Sequence, residues 1–191
     1  MPKLKILILG YSSFVKRRLS KSLKKNRQID YYICSKSNKL NKKEKILFNK
    51  YEKSLEKVKP DIVYISLINS LHYKYAKIVL KKGFNVIVDK PITVNINEAK
   101  ELLKLARKKN LLLAESTLFN YHIVFKRMLE LCGGKKNIKH IQTNFNVPDI
   151  NKKTVKIKGD CESDMSPYAA ASIRIFGNSN IKNLNVFKEY I

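Results

Sequence analysis

The alternation of short apolar runs with amphipathic segments constrains the fold of this chain more than any other feature. Short connections between strand-like and helix-like segments are typical of βαβ units, whose strands form a parallel sheet. Because such crossovers are right-handed, we predict an α/β fold with a doubly wound parallel sheet. The predicted strands are residues 3–9, 30–34, 61–67, 85–88 and 111–114, and the predicted helices are residues 14–25, 46–58 and 71–82 and a segment capped by Asn97.

The pattern changes around residue 115, and we predict two domains, residues 1–117 and residues 118–191. The second domain has too few strand-like runs for a complete sheet, so we expect an incomplete α/β domain with an exposed sheet edge. Three explanations stay open: a truncated remnant, a chain completed by a partner, or a short form that pairs this edge with another copy. The predicted elements are helices at 122–131 and 166–176, strands at 141–147 and 184–187, and a lysine-rich loop at 148–159.

The net charge of +25, from 40 Lys and Arg against 15 Asp and Glu, is compatible with nucleic-acid binding but does not favour it. Only six of the basic residues are Arg, the side chain that recognises bases and phosphates with two hydrogen bonds. The lysines are scattered along the chain, so a solvated surface explains them better. Since 44% of the residues are hydrophobic, a core is available and a disordered basic tail is excluded.

Composition also predicts the cellular environment. No apolar run approaches the roughly 20 residues that span a bilayer, so we expect no membrane segment. Cys34, Cys132 and Cys161 are odd in number and form no CxxC pair, so we expect neither a disulfide framework nor a metal site. These features predict a cytoplasmic protein.

The residues that follow the predicted strands suggest a dinucleotide site, because ligands bind beyond the carboxyl ends of a doubly wound sheet. Gly10 begins a degenerate GxGxxG turn, with Ser12 and Val15 in the other two glycine positions. A plain strand-to-helix turn explains this turn about as well. At the end of the second strand, Ser35 and Lys36 replace the acid of an NAD site, which favours NADP(H) over NAD(H). The alternative is an ordinary lysine in a lysine-rich loop.

Several segments in order carry a family resemblance: residues 69–72, residues 88–91, residues 115–122 and the run Asp-Met-Ser-Pro-Tyr at 164–168. Together they resemble the glucose–fructose oxidoreductase/inositol dehydrogenase (Gfo/Idh/MocA) family. Asp89 stands where the Glu-Lys-Pro signature of the family has Glu. The serines at 12–13, the arginines at 17–18 and the run at 119–122 are most similar to the branch that reduces keto groups on nucleotide-linked sugars.

The resemblance implies an NAD(P)-binding Rossmann domain at 1–117 and a truncated substrate-binding and dimerisation domain at 118–191. It implies reduction of a keto group on a nucleotide-linked sugar in surface-polysaccharide synthesis, with a small-molecule sugar as substrate. Lys90 is the implied catalytic lysine and Tyr168 the proton donor, with His122, Asp164 and Tyr168 at the substrate. The expected cofactor-binding residues are Gly10, Ser12, Ser13, Phe14, Ser35, Lys36, Leu67, Asn69, His72, Asp89 and Lys90.

Two alternatives of other classes stay open. A remnant could bind a dinucleotide without catalysis, or the basic surface could bind a polyanion. Among the single residues, His72 is as well explained by packing on the turn at its helix start as by contact with the cofactor.

Overall fold

The computed structural model describes residues 2–36, 46–47, 50–144 and 161–177. The chain forms two compact units. The first consists of Met1–Ser116 with Ile150–Asp164, and the second of Thr117–Asp149 with Met165–Ile191.

The first unit contains a sheet of six parallel strands in the order β3-β2-β1-β4-β5-β6. The chain winds outward from β1 to β3 and then returns to place β4 beside β1, so the predicted doubly wound Rossmann sheet is confirmed. The strands are β1 Leu4–Leu9, β2 Ile29–Cys34, β3 Ile46–Leu47, β4 Ile62–Ile65, β5 Asn85–Asp89 and β6 Leu113–Ser116.

The strand register brings the carboxyl ends of the central strands to one level. Leu9 of β1 pairs with Cys34 of β2 on one side and with Ile65 of β4 on the other. Ile65 pairs in turn with Val88, the residue before the last of β5. The residues that follow β1, β2, β4 and β5 therefore share one edge of the sheet.

Helices cover both faces of this sheet, because side chains of successive strand residues point to opposite faces. In β1, Leu7 and Leu9 join one buried cluster and Ile8 joins another with Val15. The helices are α1 Ser20–Lys25, preceded by a π-helical turn at Val15–Leu19, then α2 Tyr51–Val58, α3 Asn69–Lys81 and α4 Ile96–Lys108.

Two predictions for the first unit are corrected. The predicted helix at 46–58 divides into the edge strand β3 and the shorter helix α2. Asn95, not Asn97, caps α4, because its Oδ1 accepts hydrogen bonds from the backbone N–H groups of Asn97 at 2.8 Å and Glu98 at 3.4 Å.

The regular elements described in the second unit are all helical. It contains a 3₁₀ turn at Leu118–Tyr121, helix α5 at Ile123–Leu131, a second 3₁₀ turn at Lys135–Asn137 and, from Met165 onward, helix α6, whose full range is Cys161–Phe176. Both predicted helices are confirmed. The predicted strand at 141–147 is wrong over residues 141–144, which form neither helix nor strand. Its remainder, the loop at 148–159 and the strand at 184–187 lie outside the described residues. Within the described ranges, no helix is both long and apolar enough to cross a bilayer.

Candidate functional site

The turn after β1 requires glycine at its first position. Gly10 has a φ of +101°, and a Cβ built on it would lie 2.1 Å from the backbone oxygen of Ser66, after β4. The backbones at the ends of β1 and β4 thus approach too closely for any side chain at this point. Glycine is therefore required at position 10 by the close approach of the chain after β4 as well as by the turn itself.

Ser12 begins the first helical segment and connects three strand ends. Its Oγ accepts a hydrogen bond from the N–H of Val15 at 3.2 Å, which makes it the helix cap. The same Oγ is 2.7 Å from Oγ of Ser66, which donates to Oδ2 of Asp89 at 3.3 Å. The Ser12 hydroxyl therefore belongs to an internal hydrogen-bonded chain. The helical N–H groups from Ser13 and Phe14 onward begin at the sheet edge, where anions are favoured.

The end of β2 presents a lysine on an aromatic support. Ser35 is buried and Lys36 is exposed. The Nζ of Lys36 lies 5.3 Å from the ring centroid of Tyr51, at the start of α2. Burial, together with Cys34 and Tyr75, raises the pKa of the Tyr51 hydroxyl, so this support is neutral.

His72, on the first turn of α3, bridges the loops after β4 and β5. The side chain is fully buried. Its Nδ1 lies 2.7 Å from the backbone oxygen of Pro91, and its Nε2 lies 3.0 Å from the backbone oxygen of Leu67. Both ring nitrogens are thus engaged by the backbone on either side of the ring. Of the two interpretations given for this histidine, packing on the turn accounts for its position.

Asp89 is the last residue of β5, and both oxygens of its carboxylate accept hydrogen bonds from other groups of the protein. Its Oδ1 accepts a hydrogen bond from the N–H of Lys90 at 3.1 Å. Burial raises the pKa of the Asp89 carboxyl, and the hydrogen bond from Lys90 and the charge on His72 act against this rise. Lys90 is half-buried, at the same edge as the loop that runs from Leu67 to Asn69, the first residue of α3.

The loop that follows Lys90 is fixed by the neighbouring strand β6. Oε2 of Glu115 accepts a hydrogen bond from the N–H of Ile92 at 2.9 Å. The hydroxyl of Tyr64 donates to Oγ of Ser116 at 2.9 Å, and burial, reinforced by Asp89, raises the pKa of this hydroxyl. These two hydrogen bonds therefore connect β6 to the loop after β5 and to β4, the strand on the other side of β5.

An aromatic cluster in the second unit contains two of the predicted substrate residues. The Tyr168 ring meets Phe119 edge-on with centroids 5.9 Å apart, and Phe119 lies 4.0 Å from Phe125. Phe125 in turn lies 6.0 Å from His122 and 6.0 Å from Phe176. Helix α6 and the segment before α5 thus hold Tyr168 and His122 against the same pair of phenylalanines.

His122 also caps α5, because its Nδ1 accepts a hydrogen bond from the N–H of Val124 at 3.3 Å. A neutral ring that accepts at Nδ1 carries its proton on Nε2, which makes that atom a donor. His122 lines a cavity of about 330 Å³ together with Leu118, Phe119, Val124 and Phe125. Asp164 lies in the first turn of α6, and its side chain is outside the described part of the chain.

Sequence reasoning missed three residues that organise these sites. Ser66 connects Ser12 to Asp89, Tyr51 supports Lys36, and Phe125 joins His122 to the cluster that contains Tyr168. Ser66 had a signal in the sequence, because it is a polar residue near the end of an apolar run. The other two had no local signal, since both act through contacts with distant segments. Among the described residues, no group of three or more His, Cys, Asp or Glu could hold a metal ion.

A sequence model of the Gfo/Idh/MocA oxidoreductase family, described by its NAD-binding Rossmann fold, matches residues 4–117. A dTDP-3,4-didehydro-2,6-dideoxy-alpha-D-glucose 3-reductase of Streptomyces violaceoruber is 29% identical over 114 residues, which is 59% of this chain and 33% of that protein. The chain therefore spans about a third of the length of this curated relative.

Two solved structures show the same fold. A 3-ketoreductase from Actinomadura kijaniata, in complex with NADP and TDP-benzene, aligns with a TM-score of 0.78 at 22% identity, over 91% of this chain and 57% of that one. A protein from gentamicin A biosynthesis, in complex with NAD, aligns with a TM-score of 0.63 at 19% identity, over 71% of this chain and 40% of that one. The structural neighbours were thus solved with either dinucleotide.

Proposed function

The chain belongs to the Gfo/Idh/MocA family of oxidoreductases with an NAD-binding Rossmann fold, and from this premise we propose that it uses NADP(H) to reduce a keto group on a nucleotide-linked sugar. We further propose that it acts in the cytoplasm in surface-polysaccharide synthesis, and that residues 118–191 belong to a substrate-binding domain. The observation that carries the proposal is the common sheet edge at which β1, β2 and β5 end, beside Gly10, Lys36 and Lys90.

The chemistry of this edge fits a dinucleotide phosphate. The helical N–H groups at Ser13 and Phe14 favour an anion, and Gly10 leaves room for close backbone approach. Lys36 offers a cation at the end of β2, where no acid is present to accept a ribose hydroxyl. The NADP in the ketoreductase from Actinomadura kijaniata supports the same choice. In this proposal, Leu67 and Asn69 line the nicotinamide side of the edge.

A nicotinamide cofactor held at this edge, beside Gly10, Lys36 and Lys90, would supply the hydride for the carbonyl carbon, and the carbonyl oxygen would then carry the negative charge of an alkoxide. In the proposed mechanism the ammonium group of Lys90 stabilises this negative charge. The hydroxyl of Tyr168 donates the proton that completes the alcohol, and its own proton is replaced from solvent. A phenol gives up its proton reluctantly at neutral pH, so a lysine cation near the reacting oxygen lowers the barrier. The edge-on contact with Phe119 orients the Tyr168 ring, and His122 and Asp164 bind the sugar.

The first test is a titration with NADPH followed by nicotinamide fluorescence. We expect saturable binding, with NADPH bound more tightly than NADH. Lys36 is exposed, so its contact with a 2′-phosphate contributes about 1 kcal/mol, and Lys36→Ala should weaken NADPH binding roughly fivefold without changing NADH binding. Lys104→Ala on the exposed side of α4 is the matched control. Equal loss for both dinucleotides contradicts the role of Lys36, and no binding of either contradicts the cofactor proposal.

The second test is oxidation of NADPH in the presence of dTDP-linked keto sugars. We expect turnover that Lys90→Met and Tyr168→Phe each reduce at least about a hundredfold. Tyr121→Phe, at a tyrosine that is 87% exposed in the same unit, should leave the rate unchanged. Cofactor binding without turnover would instead support the non-catalytic alternative.

A further inference from the structure

The buried ring of His72 faces two groups that can only accept hydrogen bonds. The backbone oxygen of Pro91 is 2.7 Å from Nδ1, and the backbone oxygen of Leu67 is 3.0 Å from Nε2. Neither carbonyl carries a proton to donate. The ring must therefore supply the hydrogen for both contacts.

A neutral imidazole cannot do this, because one of its nitrogens is a donor and the other is an acceptor. In either neutral tautomer, a nitrogen lone pair would face a carbonyl oxygen inside the protein, where no water replaces the lost hydrogen bond. The imidazolium form has two N–H donors and satisfies both carbonyls. Hydrogen-bond complementarity thus selects the charged ring.

A buried cation is favoured by negative charge in its surroundings, and Asp89 is the last residue of β5, two residues before Pro91. Burial raises the pKa of the Asp89 carboxyl, and a positive charge on His72 would oppose this rise. The carboxylate also accepts hydrogen bonds from Ser66 Oγ at 3.3 Å and the Lys90 N–H at 3.1 Å. Asp89 therefore has the partners that an ionised carboxylate needs.

We infer that the His72 ring is an imidazolium that donates hydrogen bonds from both nitrogens, and that it is a positioning residue. Its two N–H groups join the loop that begins at Leu67 to the loop that holds Lys90 and Pro91. It acts on the cofactor through these loops and does not touch it. The positioning role rests on the proposed function, whereas the protonation of the ring does not.

Long-range ¹H–¹⁵N spectra of the full chain test the protonation directly. The chain has three histidines, and His122 and His140 are both exposed, so a variant with His122→Asn and His140→Asn leaves His72 as the single source of ring signals. We expect both ring nitrogens of His72 to carry protons at neutral pH. One protonated and one unprotonated nitrogen would overturn the inference.

The positioning role is tested by NADPH binding to His72→Asn, which offers an amide too short to reach both carbonyls. We expect about a tenfold weaker affinity than for the unsubstituted chain, and His140→Asn as the matched control should bind normally. Unchanged affinity in His72→Asn overturns the positioning role. If the unsubstituted chain binds no NADPH, the proposed cofactor is wrong, and the ring protons still decide whether His72 is charged. If His72→Asn does not fold, the spectra of the chain that retains His72 decide the inference.

Discussion

Gly10→Ala is the substitution for which the structure gives the sharpest expectation. The new Cβ would lie 2.1 Å from the oxygen of Ser66 and 2.9 Å from Cδ2 of Leu67. An ordinary contact is longer than 3.4 Å, so the end of β1 must separate from β4 by about an ångström or more. The residue must also adopt a φ of +101°, which side chains disfavour.

Gly83→Ala is the matched control. Gly83 has a φ of +86° after α3, but nothing lies within 4 Å of its added Cβ. This variant therefore carries the backbone strain alone, about 1–2 kcal/mol of unfolding free energy. Gly10→Ala carries a similar strain plus an overpacking term of about 1–3 kcal/mol, so we expect a total loss of about 2–5 kcal/mol.

The assay is urea unfolding followed by far-UV circular dichroism, together with NADPH fluorescence. We expect Gly83→Ala to keep normal NADPH affinity. Gly10→Ala should lose this affinity, and its loss of unfolding free energy should be the larger of the two. Equal destabilisation by the two variants would refute the close approach of β1 and β4 that this reasoning uses.

Three further outcomes follow from the same network and its surroundings. Ser66→Ala removes hydrogen bonds to Ser12 and Asp89, so urea unfolding should report a loss of about 1–2 kcal/mol, and an unchanged midpoint would contradict the chain of contacts. Within the described residues, Oγ of Ser20 is buried without a partner, so Ser20→Ala should leave stability unchanged or raise it by up to about 1 kcal/mol; a clear loss would reveal a missed contact. Because burial raises the pKa of Asp89, the native chain holds this proton more tightly than the unfolded chain does. The unsubstituted chain should therefore lose stability relative to Asp89→Asn as pH rises from about 4 upward, and parallel unfolding curves would contradict this.

The sheet was predictable because its signal is local. Each buried strand is an apolar run, and short connections leave the right-handed parallel arrangement as the simplest solution. The errors lie where local signals compete. Asn95 and Asn97 can each cap a helix, and only the hydrogen bonds to Asn97 and Glu98 identify the cap. Residues 141–144 belong to an alternating pattern typical of a strand, yet they lie unpaired by any described strand.

For the site, the sequence allowed a prediction of which strand ends meet at one edge, but not of how the side chains there are oriented. Gly10, Lys36 and Lys90 each follow an apolar run, and the parallel topology brings their strand ends to one edge. The direction of each side chain depends on partners that are distant in sequence. Ser12 is 54 residues from Ser66, and His72 is 19 residues from Pro91, so no periodicity or spacing indicates these contacts.

The difference between Asp89 and the Glu of the family signature follows from this network. An aspartate side chain is short enough for one oxygen to accept from the next residue's N–H, at Lys90, while the other accepts from Ser66. A carboxylate held by these two hydrogen bonds is directed into the protein. Its charge also interacts with that of Lys90, the lysine that the proposed mechanism uses. In a chain with a net charge of +25, the placement of this half-buried carboxylate therefore bears more directly on the proposed mechanism than the many lysines on the surface.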